Sequence, residues 1–379
     1  MTVPPGAADG HPAHRVRRTA ARASSLELLL DLVFVLTVSQ VARAVAVDPG
    51  AVTVGRAVLV MAAVWWMYDA YVWLTNQAVP DTTPVRVLLV AAMAAFLVVA
   101  LAIPDLVHGG STVLGWAYVA AALIHGGLFI ALGGPTSARV MTRVMPLNVA
   151  IGLALVLAGR LHEPAPALLA APLVLCVVAA AIAVRSPFDL AGEHFVERHG
   201  LLMIIALGES VVSLGAAVGG HGLEAATVGA AVLVVGVVAA LWWCYFSGDD
   251  ARAAHALEAV EPRRRTAVAL RGFYLDHLVM LVGLTLLGSG LHHALEEPLH
   301  RPEPAVAWLV GGGVALFLIG EADYRRALHL GPALGRGLAA AGCLALAAAR
   351  PHVLVLLGAV VVVVVITTST DARAGARAA

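Results

Sequence analysis

Carboxylates set into apolar segments are the groups through which this chain could do chemistry. In "LLMIIALGESVVSLG" Glu209 lies about ten residues into an apolar run, near the middle of a bilayer-length segment. An ionisable side chain at that depth costs about 2.5 to 3.5 kcal/mol on insertion scales, which marks it as a functional candidate. The functional reading is a protonatable midplane site; the plainer one is a carboxyl hydrogen-bonded within a bundle. Gly208 beside it is expected to allow close approach of another helix.

"ELLLDLVFVLTVSQVARA", Glu27 to Ala44, carries four polar groups in a segment otherwise fit for lipid. Glu27 and Arg43 lie near opposite ends and can reach headgroup water. Asp31 and Gln40 lie deeper and need protein partners. Glu27 and Asp31 share a face at i, i+4, so they repel unless a cation, a shared proton or a basic side chain joins them. "EHFVERHG", Glu193 to Gly200, sets His194 and Arg198 at i, i+4 with Glu197 on an adjoining face. These are either solvated charges at a helix start or the mouth of a polar path that continues to Glu209, about 18 Å further along the same helix.

Further candidates are Asp69, Asn76, His125, Asp276 with His277, and Glu321. Asp69 and Asp276 are expected within reach of the cytoplasmic interface, solvated, and His125 fits a core histidine bonded to a carbonyl. In "HHALEEPLH" His292 and Glu296 have helical ligand spacing, but Pro298 interrupts before His300 and no second cluster completes a set. A solvated loop is the preferred reading, with no metal. Phosphate-binding, dinucleotide, nucleophile-elbow and zinc-protease motifs are all missing, so neither a cofactor nor a catalytic residue is assigned. Cys176, Cys244 and Cys343 fall in apolar runs and read as packing residues.

These groups need a membrane bundle to position them. Sixty per cent of the 379 residues are apolar and 13% are charged, well outside the balance of a soluble chain. The class is all-α, a polytopic integral membrane bundle. Breaking the chain at Pro, Gly and charge clusters gives twelve spans, 26–47, 54–75, 85–107, 113–133, 140–159, 165–184, 199–218, 223–246, 269–291, 304–321, 333–349 and 352–369. All 24 basic residues are arginine, and with the amino terminus inside, 19 of them fall on the cytoplasmic side, as the positive-inside rule requires. Both termini are therefore expected in the cytoplasm of a bacterial inner membrane, with "RRR" at Arg263 to Arg265 in the longest internal loop. Residues 1–23 read as a disordered tail without a cleavable signal, and 372–379 as a second tail. The formal charge of zero gives no reason to expect nucleic acid.

A faint repeat is also present. Setting Glu27 over Glu197 aligns the two leading helices, and "WWMY" (Trp65 to Tyr68) matches "WWCY" (Trp242 to Tyr245) at offsets of 170 and 177 residues. Duplication of a six-helix unit explains this, with halves at 24–186 and 187–371 in parallel; chance likeness between apolar helices is the alternative.

The first motif paired with "EHFVERHGLLMIIALGESVVSLG" resembles the bacterial low temperature requirement protein A family. "WLTN" (Trp73 to Asn76), "LAIP" (Leu101 to Pro104) and the segment with His277 extend the likeness across the membrane region. The family pattern usually has aromatics where this chain has Leu29 and Leu30, a change of packing and not of charge. The resemblance implies polar positions at Glu27, Asp31 and Gln40, and at His194, Glu197, Arg198 and Glu209. It implies a polytopic membrane protein linked by name to growth in the cold, and no particular reaction.

The function expected is secondary transport coupled to protons or cations. Glu209 would be the coupling carboxylate, and Glu27, Asp31, Glu197, Arg198 and His194 a cytoplasmic gate. The bilayer and an unidentified small solute or ion are the partners. An ion channel, or a scaffold or lipid-linked enzyme of cold adaptation, are the alternatives.

Overall fold

The computed structural model describes residues 22–77, 80–132, 134–161, 166–185, 190–218, 224–247 and 249–378. The expected tail through residue 21 and the boundary between halves at 186 lie outside the described residues. Among the described residues every regular element is helical. In chain order these are α1 Ser25–Val47, α2 Ala51–Gln77, α3 Thr83–Leu101, α4 Ile103–His108, α5 Val113–Leu132, α6 Gly134–Gly159, α7 Pro166–Val184 and α8 Gly192–Val218. They continue with α9 Ala225–Phe246, α10 Asp249–Ala259, α11 Pro262–Ala269, a π-helical segment Leu270–Asp276, α12 His277–Ala294, α13 Pro304–Ala327, α14 Leu334–Ala349 and α15 Val353–Ala378.

Each of the twelve expected segments is helical, and ten helices among the described residues are long and apolar enough to cross a membrane. α8 and α14 are not among those ten. α8 opens on a cluster of charges, and α14 has only 16 residues. Three boundaries differ from expectation. The third segment breaks at Ala102, ahead of Pro104, because proline has no N–H to donate back and crowds the preceding turn. The internal loop holding Arg263 to Arg265 is helical, in α10 and α11, and α11 runs through the π-helical segment into α12 as one rod from Pro262. The expected C-terminal tail continues α15 to Ala378.

The side chains sort as lipid solvent demands. Trp65, Tyr68, Tyr71, Phe34, Phe96, Phe195 and Phe273 are buried, while leucines, valines and Trp116, Trp242, Trp243 and Trp308 face outward. Since lipid tails are as apolar as leucine, packing inside depends on close backbone approach. At the α12–α13 crossing a Cβ on Gly313 would stand 2.6 Å from the Gly283 oxygen and 2.6 Å from the Leu287 nitrogen. Gly208 does the opposite of what was expected: it is exposed, and a Cβ there would meet nothing within 4 Å.

Two sets of six helices pack in the same order. α1 lies on α2 and α3, α2 on α7, α3 on α5, α5 on α6, and α6 on α7; correspondingly α8 lies on α9 and α12, α9 on α15, α12 on α13, α13 on α14, and α14 on α15. Between the sets, α1 packs on α8 and α12, and α2 on α8. The start of α8 therefore meets the start of α1 and the end of α2, and there the polar groups gather.

Candidate functional site

α1 begins on a capping box in which Ser24 and Glu27 satisfy each other's backbone N–H groups. The Ser24 N–H and hydroxyl both donate to Glu27 Oε2, each at 2.7 Å. This leaves Glu27 Oε1 for α8, where Arg198 Nη1 approaches at 3.2 Å and His194 Nε2 at 3.3 Å. One turn deeper, Arg198 forms a two-pronged pair with Asp31: Nη2 with Oδ1, and Nε with Oδ2 at 3.3 Å. Arg198 Nη1 also donates to Thr75 Oγ1 on α2 at 3.2 Å, and the Tyr68 hydroxyl donates to Asp31 Oδ1 at 2.5 Å. Arg198, Asp31, Glu27 and His194 are each at most 1% exposed. The i, i+4 carboxylates on α1 are thus joined by a guanidinium, one of the three partners their spacing called for.

The proton on His194 can be placed. Asn76 Nδ2 donates to the Ala191 carbonyl at 2.9 Å while its Oδ1 accepts from the Ala191 N–H at 2.9 Å, which fixes the amide. Its Nδ2 also faces His194 Nδ1 at 3.2 Å, so Nδ1 accepts and Nε2 carries the hydrogen towards Glu27. Two carboxylates, Glu27 and Asp31, thus face the one guanidinium of Arg198. Glu197 lies beside this set but serves the backbone, its Oε2 accepting from the Ala23 N–H at 3.1 Å.

A second pair lies one residue on. His199 Nε2 is 3.1 Å from Asp69 Oδ1, and Trp73 Nε1 donates to Asp69 Oδ2 at 3.0 Å. Asp69 is 2% exposed, so the expectation of a solvated aspartate is corrected: α2 turns it into the bundle. The expectation for Asp276, also 2% exposed, is corrected in the same way. His199 was not singled out in the sequence; its position 100° round the helix from Arg198 points it at α2 while Arg198 reaches α1.

His277 lies next to this pair, its ring centroid 5.1 Å from that of His199. Its own bonds close elsewhere: Nδ1 donates to the Gly272 carbonyl and Nε2 accepts from the Tyr245 hydroxyl, both at 2.8 Å. That is the pattern of a neutral histidine. His125 Nε2 lies 3.0 Å from the Ala70 carbonyl, matching the core reading.

Glu209 and Gln40 do not join the set. Glu209 is half-buried on α8, three turns or about 16 Å beyond Arg198. Gln40 is 7% exposed, on the stretch of α1 beyond Asp31. Glu321 is fully buried and paired with Arg336 of α14, which also donates to the Cys244 carbonyl at 3.3 Å. Arg336, near the start of α14, is itself 1% exposed. At the end of α12 His293 Nε2 donates to the Ala46 carbonyl at 2.7 Å, and in the segment that follows His300 lies 3.7 Å from Glu297.

An apolar outer surface, bilayer-length helices and ion pairs sealed between them define a multi-pass helical membrane protein. The chain belongs to the bacterial low temperature requirement A protein (LtrA) family, which it matches over residues 22–370. It is similar to the uncharacterized protein RA0937 of Rhizobium meliloti (strain 1021), 27% identical over 325 residues that cover 80% of this chain and 77% of that one. No solved structure matches it.

Proposed function

We propose that the protein is a proton-coupled secondary transporter whose two six-helix halves, 24–186 and 187–371, are latched by buried acid–base pairs. The observation that carries this reading is the placement of Arg198 and His199. Neighbouring residues of α8 in the second half, they pair with Asp31 and Asp69 on α1 and α2 of the first. A buried ion pair is weak evidence for stability, because desolvation offsets much of the attraction. In a membrane it marks function by default. Protonating Asp31 or Asp69 removes the attraction across the seam, so proton uptake and separation of the halves become one equilibrium.

The repeated packing order of the helices supports two equivalent six-helix units and twelve spans, and the distribution of arginines supports both termini in the cytoplasm. Tyr68 and Tyr245, matched in the repeat, each bond a buried polar side chain. The Trp pairs beside them diverge: Trp65 is buried, whereas Trp243 is 61% exposed. Glu209, deeper on α8, is assigned to the continuation of the path.

The test is proton flux into proteoliposomes carrying a lumenal pH dye. Asp31→Asn should abolish coupled flux while leaving passive leak unchanged. Wild-type flux in Asp31→Asn vesicles would remove the latch from the mechanism.

A further inference from the structure

Beside Asp69 a mostly apolar pocket opens between α2, α5, α6, α7 and the start of the rod that begins at α11. Its wall includes Trp66, Trp73, Phe129 and Met141, with Asp69 and His125 as the titratable groups. Trp66 is held by an Nε1 bond to Asn148 at 2.9 Å, and Trp73 by its bond to Asp69. His125 Nδ1 is buried without a hydrogen-bond partner. Aromatic faces and a soft sulfur round a carboxylate suit a cation with an apolar body, since the ring quadrupole and the acid attract the same charge.

The hydrogen bonds of His199 say what balances Asp69 when the pocket is empty. Its Nδ1 lies 2.8 Å from the Phe195 carbonyl, which can only accept, so Nδ1 carries a hydrogen. Its Nε2 lies 3.1 Å from an oxygen of Asp69, which needs a second hydrogen between them. The pair therefore holds one proton more than a neutral imidazole beside a carboxylate. On surrounding elements the titratable groups are His277 of α12, Tyr274 of the π-helical segment, Tyr245 of α9, which bonds His277, His125 of α5 and Asp31 of α1, itself held by Arg198. On α10, Glu258 touches Gly192, two turns away. None of them puts a second positive charge against Asp69.

We infer that this pocket binds a small organic cation, an ammonium group on an aromatic or alkyl body, in exchange for the proton shared by Asp69 and His199. The cation pairs with the Asp69 carboxylate, His199 becomes a neutral imidazole, and one proton leaves to solvent, so charge is conserved. The inference rests on the transport reading and names its substrate class, with cation and proton competing for one carboxylate.

The experiment uses the full chain purified in detergent and benzyltrimethylammonium, whose charge does not change with pH. Equilibrium dialysis should show affinity falling about tenfold per pH unit where the pair is protonated, and about one proton should be released per cation bound in weakly buffered solution. Asp69→Asn should weaken binding more than tenfold. Because that variant could misfold, the pH slope and proton release are read on the wild type. Binding independent of pH, or equally good displacement by the uncharged isostere neopentylbenzene, would overturn the inference. Proton flux in vesicles without cation binding overturns the site and leaves transport standing; cation binding without flux upholds the site and removes transport.

Discussion

Arg198 and Asp31, 167 residues apart in the chain, form a two-pronged ion pair from which water is excluded on every side. The same guanidinium reaches Glu27 and Thr75, so one side chain ties α8 to both α1 and α2. Removing Arg198 alone strands both buried carboxylates it faces, whereas removing Asp31 with it leaves only Glu27 without its guanidinium. Arg198→Met should therefore destabilise the protein by about 3 to 5 kcal/mol. Adding Asp31→Asn should return part of the loss, giving a coupling energy in a double-mutant cycle of thermal unfolding in detergent. Additive losses would mean the pair does not act as a unit.

The glycines of the bundle divide by what surrounds them. At Gly313 an added methyl would collide with the backbone of α12, which cannot give way cheaply, while at Gly208 it enters open space. Gly313→Ala should cost about 1 to 3 kcal/mol through overpacking, and Gly208→Ala should stay within about 0.5 kcal/mol. Equal melting temperatures for the two variants would contradict the crossing geometry.

Topology follows from the span count. If twelve segments cross, Arg264 lies on the same side as both termini and His300 on the other. In a background with Cys176, Cys244 and Cys343 replaced by alanine, Arg264→Cys should be shielded from an impermeant maleimide in intact cells, and His300→Cys labelled. Arg264→Cys labelled with His300→Cys shielded would mean that α8 does not span, and equal labelling of the two would mean that the rod from Pro262 to Ala294 does not cross.

Much of this was legible in the chain, for reasons that differ by residue. Apolar runs of bilayer length announce helices because lipid leaves no other way to satisfy the backbone, and all twelve segments are helical. The acids at Glu27 and Asp31 demanded a partner, since their i, i+4 spacing sets like charges together, and Arg198 answers that demand. Asp69 and His199 were obscured because burial depends on which way a helix is rotated, and hydropathy does not report rotation in a helix that is apolar all round. The partner of Glu321 was hidden likewise: an arginine near a helix start reads as a topology signal until the neighbouring helix encloses it. Gly208 misled because a small residue permits close approach without causing it.

The connection between α1 and α2 offers a pH test away from the membrane core. Asp48 accepts hydrogen bonds from the Thr53 hydroxyl and from the Gly50 N–H at 3.1 Å. These bonds, Thr53 first, hold its carboxyl below the usual range. A carboxyl whose folded-state pKa is depressed adds stability above its unfolded value, near 3.9, and loses it as pH falls through the folded value. Thr53→Val should therefore be less stable than wild type at pH 7, with the gap closing as pH falls below about 4 and Asp48 protonates in both proteins. Thermal unfolding in detergent across that range reads the effect, and a gap unchanged down to pH 2 would show that Thr53 acts by packing, not through the Asp48 charge.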